Sequence, residues 1–389
     1  MENSIIRAEF PLLSKNLIYF DAAATSLKPE SVIDKEAEYN KALGVNTARG
    51  TGLYSFNITN EIEKIRDKTA KYIGCSNNNQ IIFTANTTDS INLVAQSYVK
   101  KICSKDSNIV ISNLEHHSNY VPWVELCKKL DIECRIVDID KINNNIDNET
   151  VITAVTGMSN LTGFRPDLKG IIRKCREYKS KIIVDAAQLL AHSTIDISKL
   201  DIDFLCFSAH KMYGPFGLGF LYGKEELLKE FIPYKYGGNM VSYIGKDGII
   251  HYKDIPHKLE SGTQNPSAIH AFGSTLTFLE KYDLASQELF ILELDKYLNE
   301  GLKNIGDITI YSTQGSITSF NINGVHPHDA SGFFDNKNII LRTGNLCASP
   351  FFINKEESGV IRVSLGFYNT KEEIDILLET IREIKEFFL

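Results

Sequence analysis

Between Ile18 and Tyr222 the chain alternates short, nearly continuous apolar runs with longer amphipathic ones, and this pattern restricts the possible folds most strongly. The runs Gln80–Thr84, Asn108–Ser112, Cys134–Ile139, Val151–Thr156, Lys181–Val184, Phe204–Ser208 and Gly217–Leu221 read as strands. Ser90–Lys100, Val121–Leu130 and Leu168–Tyr178 read as helices between them. A strand lacking polar alternation must be covered on both faces. The pattern therefore predicts an α/β fold whose mainly parallel seven-stranded sheet is flanked by helices. Beyond Tyr222 the pattern changes to helices over Ala268–Leu284 and Ser286–Ile305, then strands at Ile308–Tyr311, Ile317–Ile322, Ile339–Arg342 and Val360–Ser364. A last helix opens at Thr370 with Glu373 three residues on, the spacing of a capping box. This is a smaller α+β C-terminal domain, and two domains suit 389 residues. The expected division is a large domain over 17–282 and a small one over 283–389 together with 1–16, Asp283 interrupting the helical pattern.

Seven scattered cysteines with no CxxC pair fit neither a disulfide framework nor a zinc ribbon, and point to a reducing cytoplasm. The opening residues lack the basic and apolar blocks of a secretory signal, and no run approaches the roughly 18 apolar residues of a membrane span. With a net charge of −7 and no large basic block, neither nucleic acid nor membrane is an expected partner.

In parallel sheets, chemistry gathers just beyond the carboxyl ends of the strands. One exit reads Val184-Asp185-Ala186-Ala187-Gln188, and another reads Ser208-Ala209-His210-Lys211. Either charged residue alone is most simply a cap, an ion pair or a solvated group. Together, at one sheet edge, they suit pyridoxal phosphate: the lysine forms the Schiff base and the carboxylate keeps the pyridinium protonated. A third exit, Phe83-Thr84-Ala85-Asn86-Thr87-Thr88, leads hydroxyls and backbone N–H groups into a helix, which makes it a phosphate cradle or an ordinary N-cap. The fourth carries Glu115-His116-His117. Adjacent side chains diverge and no third ligand stands at helical spacing, so no metal is expected. A histidine stacked on a planar cofactor is the better functional reading.

In order along nearly the whole chain, EHHSNYVPW, VDAAQ, FSAHKMYGPFGLGFLY, ESGTQNP and RTGNLCASP resemble class V aminotransferase-like, fold-type I pyridoxal phosphate enzymes. Within these the chain resembles the group II (SufS-type) cysteine desulfurases and selenocysteine lyases. The resemblance implies that Lys211 is the Schiff-base lysine, Asp185 the pyridinium partner, Gln188 the ligand of the phenolic oxygen and His116 the stacked catalytic histidine. It implies phosphate contacts from Thr87, Thr88, Ser208 and His210, and one from Thr263 that crosses into a second subunit, hence a homodimer. Asn160, Arg342 and Arg362 are implied on the substrate side, Arg362 as the clamp for the α-carboxylate.

Cys347, in a polar loop beside Gly344 and near Arg342, is implied as the nucleophile; the other six cysteines read as packing residues. The implied reaction converts L-cysteine to L-alanine, leaving a persulfide on Cys347 for a SufE-, SufU- or SufBCD-like acceptor and for iron–sulfur cluster assembly. The alternatives are selenocysteine lyase or cysteine-sulfinate desulfinase activity, another class V reaction, or a non-catalytic scaffold. Four positions depart from the pattern: Asn345 and Leu346 stand where relatives carry histidines, Ala48 precedes Arg49 in place of a histidine, and Gln264 replaces a proline. The pair His326 and His328 reads as a structural loop or, at His328, as a docking point for the acceptor.

Overall fold

The structure, a computed structural model, describes residues 2–46, 52–312, 315–353 and 355–389. Ala48 and Arg49 lie outside the described residues. All seven anticipated strands form one sheet: β1 (Ile81–Thr84), β2 (Asn108–Ser112), β3 (Glu133–Val137), β4 (Thr150–Thr156), β5 (Lys181–Asp185), β6 (Phe204–Ser208) and β7 (Gly219–Gly223). Their spatial order is β1-β7-β6-β5-β4-β2-β3. β7 runs antiparallel to both neighbours and every other pairing is parallel.

Successive side chains of a strand point to opposite faces, so the apolar runs feed two cores at once. Val110, Val155, Val184 and Leu205 enter one core with Ile171 and Cys175 of the helix Leu168–Glu177. Ile109, Ile111, Ala154 and Ile183 enter the other, against Trp123 and Leu126 of the helix Val121–Leu130. Because β2, β4, β5 and β6 are parallel, the loops that follow Ser112, Thr156, Asp185 and Ser208 all leave at one edge.

Several boundaries differ from the sequence expectation. The third strand ends at Val137, and 139–145 wind into 3-10 turns. The helix expected from Ser90 starts at Thr87 and relaxes into a π-turn over Ala95–Val99. The expected strand Ile339–Arg342 is two pieces. Ile339–Ile340 pairs parallel with Ile18–Tyr19, while Arg342–Gly344 joins the smaller sheet. An exposed hairpin, Val241–Ile244 with Ile250–Tyr252, had no clear signal in the sequence.

The C-terminal region carries a separate antiparallel sheet ordered Ile308–Ile310, Ile317–Ile322, Val360–Ser364, Arg342–Gly344. The helix Lys371–Phe388 opens on the expected capping box of Thr370 and Glu373. Near the N-terminus, Arg7 Nη1 lies 2.7 Å from Glu373 Oε1, and Asp21 forms a β-bridge with Ser364, so this segment is tied to the C-terminal helix and to the smaller sheet.

One buried ion pair fixes the start of β1. Arg66, from the helix Leu53–Tyr72, donates from Nη1 to Glu260 Oε1 (2.6 Å) and to the Ile81 carbonyl (2.8 Å), and Glu260 also accepts the Phe83 N–H (2.7 Å). Burial by itself would raise the Glu260 pKa, but the Arg66 charge and the hydrogen bonds from His257, Arg66 and Phe83 outweigh it and bring it down to about 2. A carboxylate with a depressed pKa contributes stability above its unfolded value, and that contribution is lost as pH falls toward the folded value. Removing one partner of a buried pair costs about 3–5 kcal/mol. Glu260→Gln should therefore lose stability of that order at neutral pH in denaturant unfolding, and its acid destabilisation between pH 4.5 and about 2 should be shallower than that of the wild type.

Candidate active site

The strand exits converge on a cavity of about 470 Å³, lined among others by Thr87, Thr88, His116, Asn160, Ser208, His210, Lys211, Arg342, Cys347 and Arg362. Asp185 ends β5 beneath it, its Oδ1 accepting the Ala187 N–H at 2.9 Å. Burial pushes the Asp185 pKa up, while that N–H and the Lys211 charge hold it down. Lys211 closes the tight turn Ala209–Lys211 after β6. Enclosure by protein lowers its pKa to about 8 against the attraction of Asp185, with Arg362 pushing the same way as burial. An amine so placed holds or sheds its proton near neutrality, as a nucleophilic or proton-moving lysine requires.

Thr87 opens an eight-residue helix at the exit from β1. Its N–H donates to Ser208 Oγ (2.8 Å), and its hydroxyl pairs with the same oxygen at 2.7 Å. The Asn86 side chain caps the helix by accepting the Asp89 N–H. A side chain at Gly219 would strike the Asn86 backbone at 2.4 Å, so only glycine allows β7 to pass so close. Thr88 Oγ1 pairs with Ser118 Oγ at 2.7 Å, and His210 stacks on Phe216 with ring centroids 5.7 Å apart.

His116 caps the turn His117–Asn119, its Nδ1 accepting the Ser118 N–H at 3.1 Å. That bond leaves the neutral ring with its proton on Nε2. Burial, then Lys211, lower the His116 pKa to about 3, which keeps the ring uncharged. Beneath it lies Glu115, fully buried. Its carboxylate accepts Ser112 Oγ (2.5 Å), the Thr156 N–H (2.9 Å) and Asn119 Nδ2 (2.6 Å), and Asn119 Oδ1 in turn accepts Trp123 Nε1 at 3.0 Å. Burial, opposed by these bonds, raises the Glu115 pKa to about 8. Its side chain ties the end of β2 to the end of β4 and to the turn His117–Asn119. This structural role of Glu115 leaves no signal in the sequence, and among the described residues no group of His, Cys, Asp or Glu is placed to hold a metal ion.

On the opposite wall, Arg362 donates from Nη1 to the Asn160 carbonyl (3.0 Å) and from Nη2 to Asp21 Oδ1 (2.9 Å). Arg342, half exposed, also grips Asp21. Asp21 had no signal in the sequence, and it joins the two arginines. Cys347 is the exposed member of seven free cysteines, and both Leu346 and Cys347 adopt left-handed backbone angles, with φ of 56° and 54°. The loop that holds them is pinned. The Cys347 carbonyl accepts the His117 N–H (2.8 Å), and Asn345 Oδ1 accepts the Cys347 N–H (3.2 Å). Leu346 is buried with Leu161, Phe352 and Val360. Asn345 and Leu346 thus act here as a cap and an apolar anchor.

The buried polar atoms Gln188 Oε1, Asn160 Oδ1 and Arg362 Nε have no hydrogen-bond partner among the described residues. Buried polar groups are rarely left unsatisfied, so these await a polar ligand. With the hydroxyl cradle at one end and Asp185 below Lys211, the donor set fits a phosphate-bearing, pyridine-type cofactor. Thr263 is not at this cavity: it lines a separate one of about 290 Å³ with Asp89, Tyr234 and Gln264. His328 sits by the cysteine loop, its Nδ1 3.2 Å from Thr343 Oγ1.

This fold and this arrangement of lysine, aspartate and helix N-terminus are those of the class V aminotransferases. The chain belongs to that family, which it matches over residues 18–377. Among individual relatives it is 35% identical to a cysteine desulfurase of Wigglesworthia glossinidia brevipalpis, over 98% of this chain and 97% of that one. It is 34% identical to a cysteine desulfurase of Pectobacterium carotovorum, over 97% of each chain. The solved cysteine desulfurase CsdA of Escherichia coli superposes with a TM-score of 0.93 at 32% identity, covering 100% of this chain and 99% of the other.

Glu115→Ala should leave the Ser112, Thr156 and Asn119 donors unpartnered, at about 1–3 kcal/mol each. The expected result is a lower denaturation midpoint together with altered native fluorescence from Trp123, the chain's one tryptophan, which reports directly on Asn119.

Proposed function

We infer that the protein is a pyridoxal phosphate-dependent cysteine desulfurase that converts L-cysteine to L-alanine and collects the sulfur on Cys347. The observation that carries this reading is one cavity lined by the Lys211 amine, the Arg362 guanidinium and the exposed Cys347 thiol. Thr87, Thr88, Ser208 and His210 would hold the cofactor phosphate, Asp185 its ring nitrogen, Gln188 its phenolic oxygen and His116 its face. Bound there, pyridoxal phosphate supplies an electron sink for the carbanion formed at the substrate Cα.

Arg362, with its unpartnered Nε, binds the substrate α-carboxylate, and Asn160 lies beside it. Lys211 Nζ takes the Cα proton, a role suited to an amine whose pKa is about 8. Neutral His116 offers its Nε2 proton at the same wall. The Cys347 thiolate attacks the substrate sulfur; the S–S bond forms as the substrate Cβ–S bond breaks, the bonding pair of that bond stays with Cβ, which takes up the proton the Cys347 thiol gave up, and the proton held by Lys211 returns to Cα to give alanine. A reducing cytoplasm would strip a free persulfide, so a protein acceptor that takes the sulfur directly, onward to iron–sulfur cluster assembly, completes the reading. His328 beside the loop is a contact point for such an acceptor.

Two features support a homodimer: Thr263 faces away from its own site, and the hairpin exposes Tyr243, Ile244 and Ile250. The division into 17–282 and 283–389 with 1–16 is part of the same proposal, as is a cytoplasmic location. Among the described residues no helix is long and apolar enough to cross a membrane.

Exposure of the purified holoprotein to L-cysteine should add one sulfur atom to the Cys347 peptide, read by mass spectrometry, with alanine released in step. Cys347→Ser should lose both signals on L-cysteine. Full alanine production by that variant would instead favour a lyase acting on a better leaving group, such as selenocysteine.

A further inference from the structure

Asp21 is buried at 5% exposure in the segment just after Ile18–Tyr19. Its Oδ1 accepts Arg362 Nη2 at 2.9 Å, and its Oδ2 accepts Arg342 Nη2 at 2.8 Å and Nε at 3.2 Å. From the far side of the guanidinium, Arg362 Nη1 donates to the Asn160 carbonyl (3.0 Å), and Asn160 Nδ2 donates to the Leu346 carbonyl (2.9 Å). Leu346 adjoins Cys347, and Arg342 leads into the same loop. The hydrogen bonds therefore form a closed ring: cysteine loop, Arg342, Asp21, Arg362, Asn160, and back to the loop. Two atoms of the ring, Arg362 Nε and Asn160 Oδ1, are buried and have no partner among the described residues.

One carboxylate shared by two guanidiniums leaves the ring with a net positive charge. A second carboxylate arriving at Arg362 competes with Asp21 for that guanidinium and repels Asp21 as a like charge. Both effects loosen the Asp21–Arg362 contact and shift Asp21 toward Arg342, on the strand that leads to Cys347. We propose that Asp21 is a positioning residue that couples occupation of Arg362 by the substrate carboxylate to the placement of the Cys347 loop. The proposal rests on the desulfurase reading, in which Arg362 holds that carboxylate and Cys347 accepts the sulfur.

A contiguous network alone does not establish coupling; a change at one site read at the other does. The holoprotein is alkylated with iodoacetamide, and the rate at Cys347 is followed by peptide mass spectrometry with and without saturating L-alanine, which carries the α-carboxylate but no sulfur. Alanine binding is verified separately through the visible absorbance of the cofactor. In the wild type, alanine should change the Cys347 alkylation rate by on the order of 5-fold, the lower range of measured couplings between sites.

In Asp21→Asn the ratio of the two rates should fall to about one while alanine still binds, and Asp21→Glu should restore part of it. Arg342→Met breaks the ring at its half-exposed member, where folding is least at risk, and should abolish the ratio in the same way. If both variants keep the wild-type ratio, alanine acts on Cys347 directly and the proposal is overturned. An absence of any alanine effect in the wild type overturns it as well. A merely structural role for Asp21 would change the rates with and without alanine alike and leave the ratio untouched, which also counts against it. Alanine release from L-cysteine by the wild type tests the underlying reading independently, since the alkylation ratio requires no turnover.

Discussion

A carboxylate and an amine enclosed at the same edge of a parallel sheet each make the other tolerable. Asp185 at the end of β5 and Lys211 just past the end of β6 lie where burial disfavours both charges, and each is the other's counterweight: Lys211 holds the Asp185 pKa down, and Asp185 holds the Lys211 pKa up. Much of the surrounding architecture follows from keeping that edge in place. The two cores clamp the sheet from both faces, the Glu115 network ties β2 to β4, and β7 closes against the helix that opens at Thr87.

The second organising constraint is positive charge without bulk water. Arg362 is buried, and desolvation works against its charge while Asp21 supports it. Asp21 comes from the N-terminal segment, and Arg342 and Arg362 come from adjacent strands of the smaller sheet. The arginine wall is therefore assembled from parts of the chain that are distant in sequence but tied by backbone pairing near Ile18 and Ile339.

What could be read from the sequence follows the same physics. Strands such as β2, β5 and β6 are buried on both faces, which leaves an unbroken apolar run, and the polar residue that ends each run marks the functional edge. The antiparallel direction of β7 leaves no such trace, because burial pattern does not encode strand direction. Asp21 was invisible for a different reason. It is a single acidic residue between Phe20 and three alanines, and its partners lie 321 and 341 positions away. The site residues proposed from resemblance are brought to one cavity, with Asp185 and Gln188 just beneath it and Thr263 apart. The departures Asn345 and Leu346 are visible in the sequence as substitutions, but only the fold shows them as a cap and a buried anchor.

The short loop around Cys347 sets a limit on travel. From Gly344, still paired in the smaller sheet, to the turn that begins at Ser349 there is room for very few residues, and each extends the chain by only about 3.3–3.6 Å. Two consecutive left-handed residues, an apolar anchor and a backbone bond to His117 use up even that slack. A sulfur atom loaded here cannot be carried across the surface on a swinging arm. On the desulfurase reading proposed above, an acceptor of that sulfur would have to come to the mouth of the cavity, so the geometry of collection would also set the shape of whatever collects.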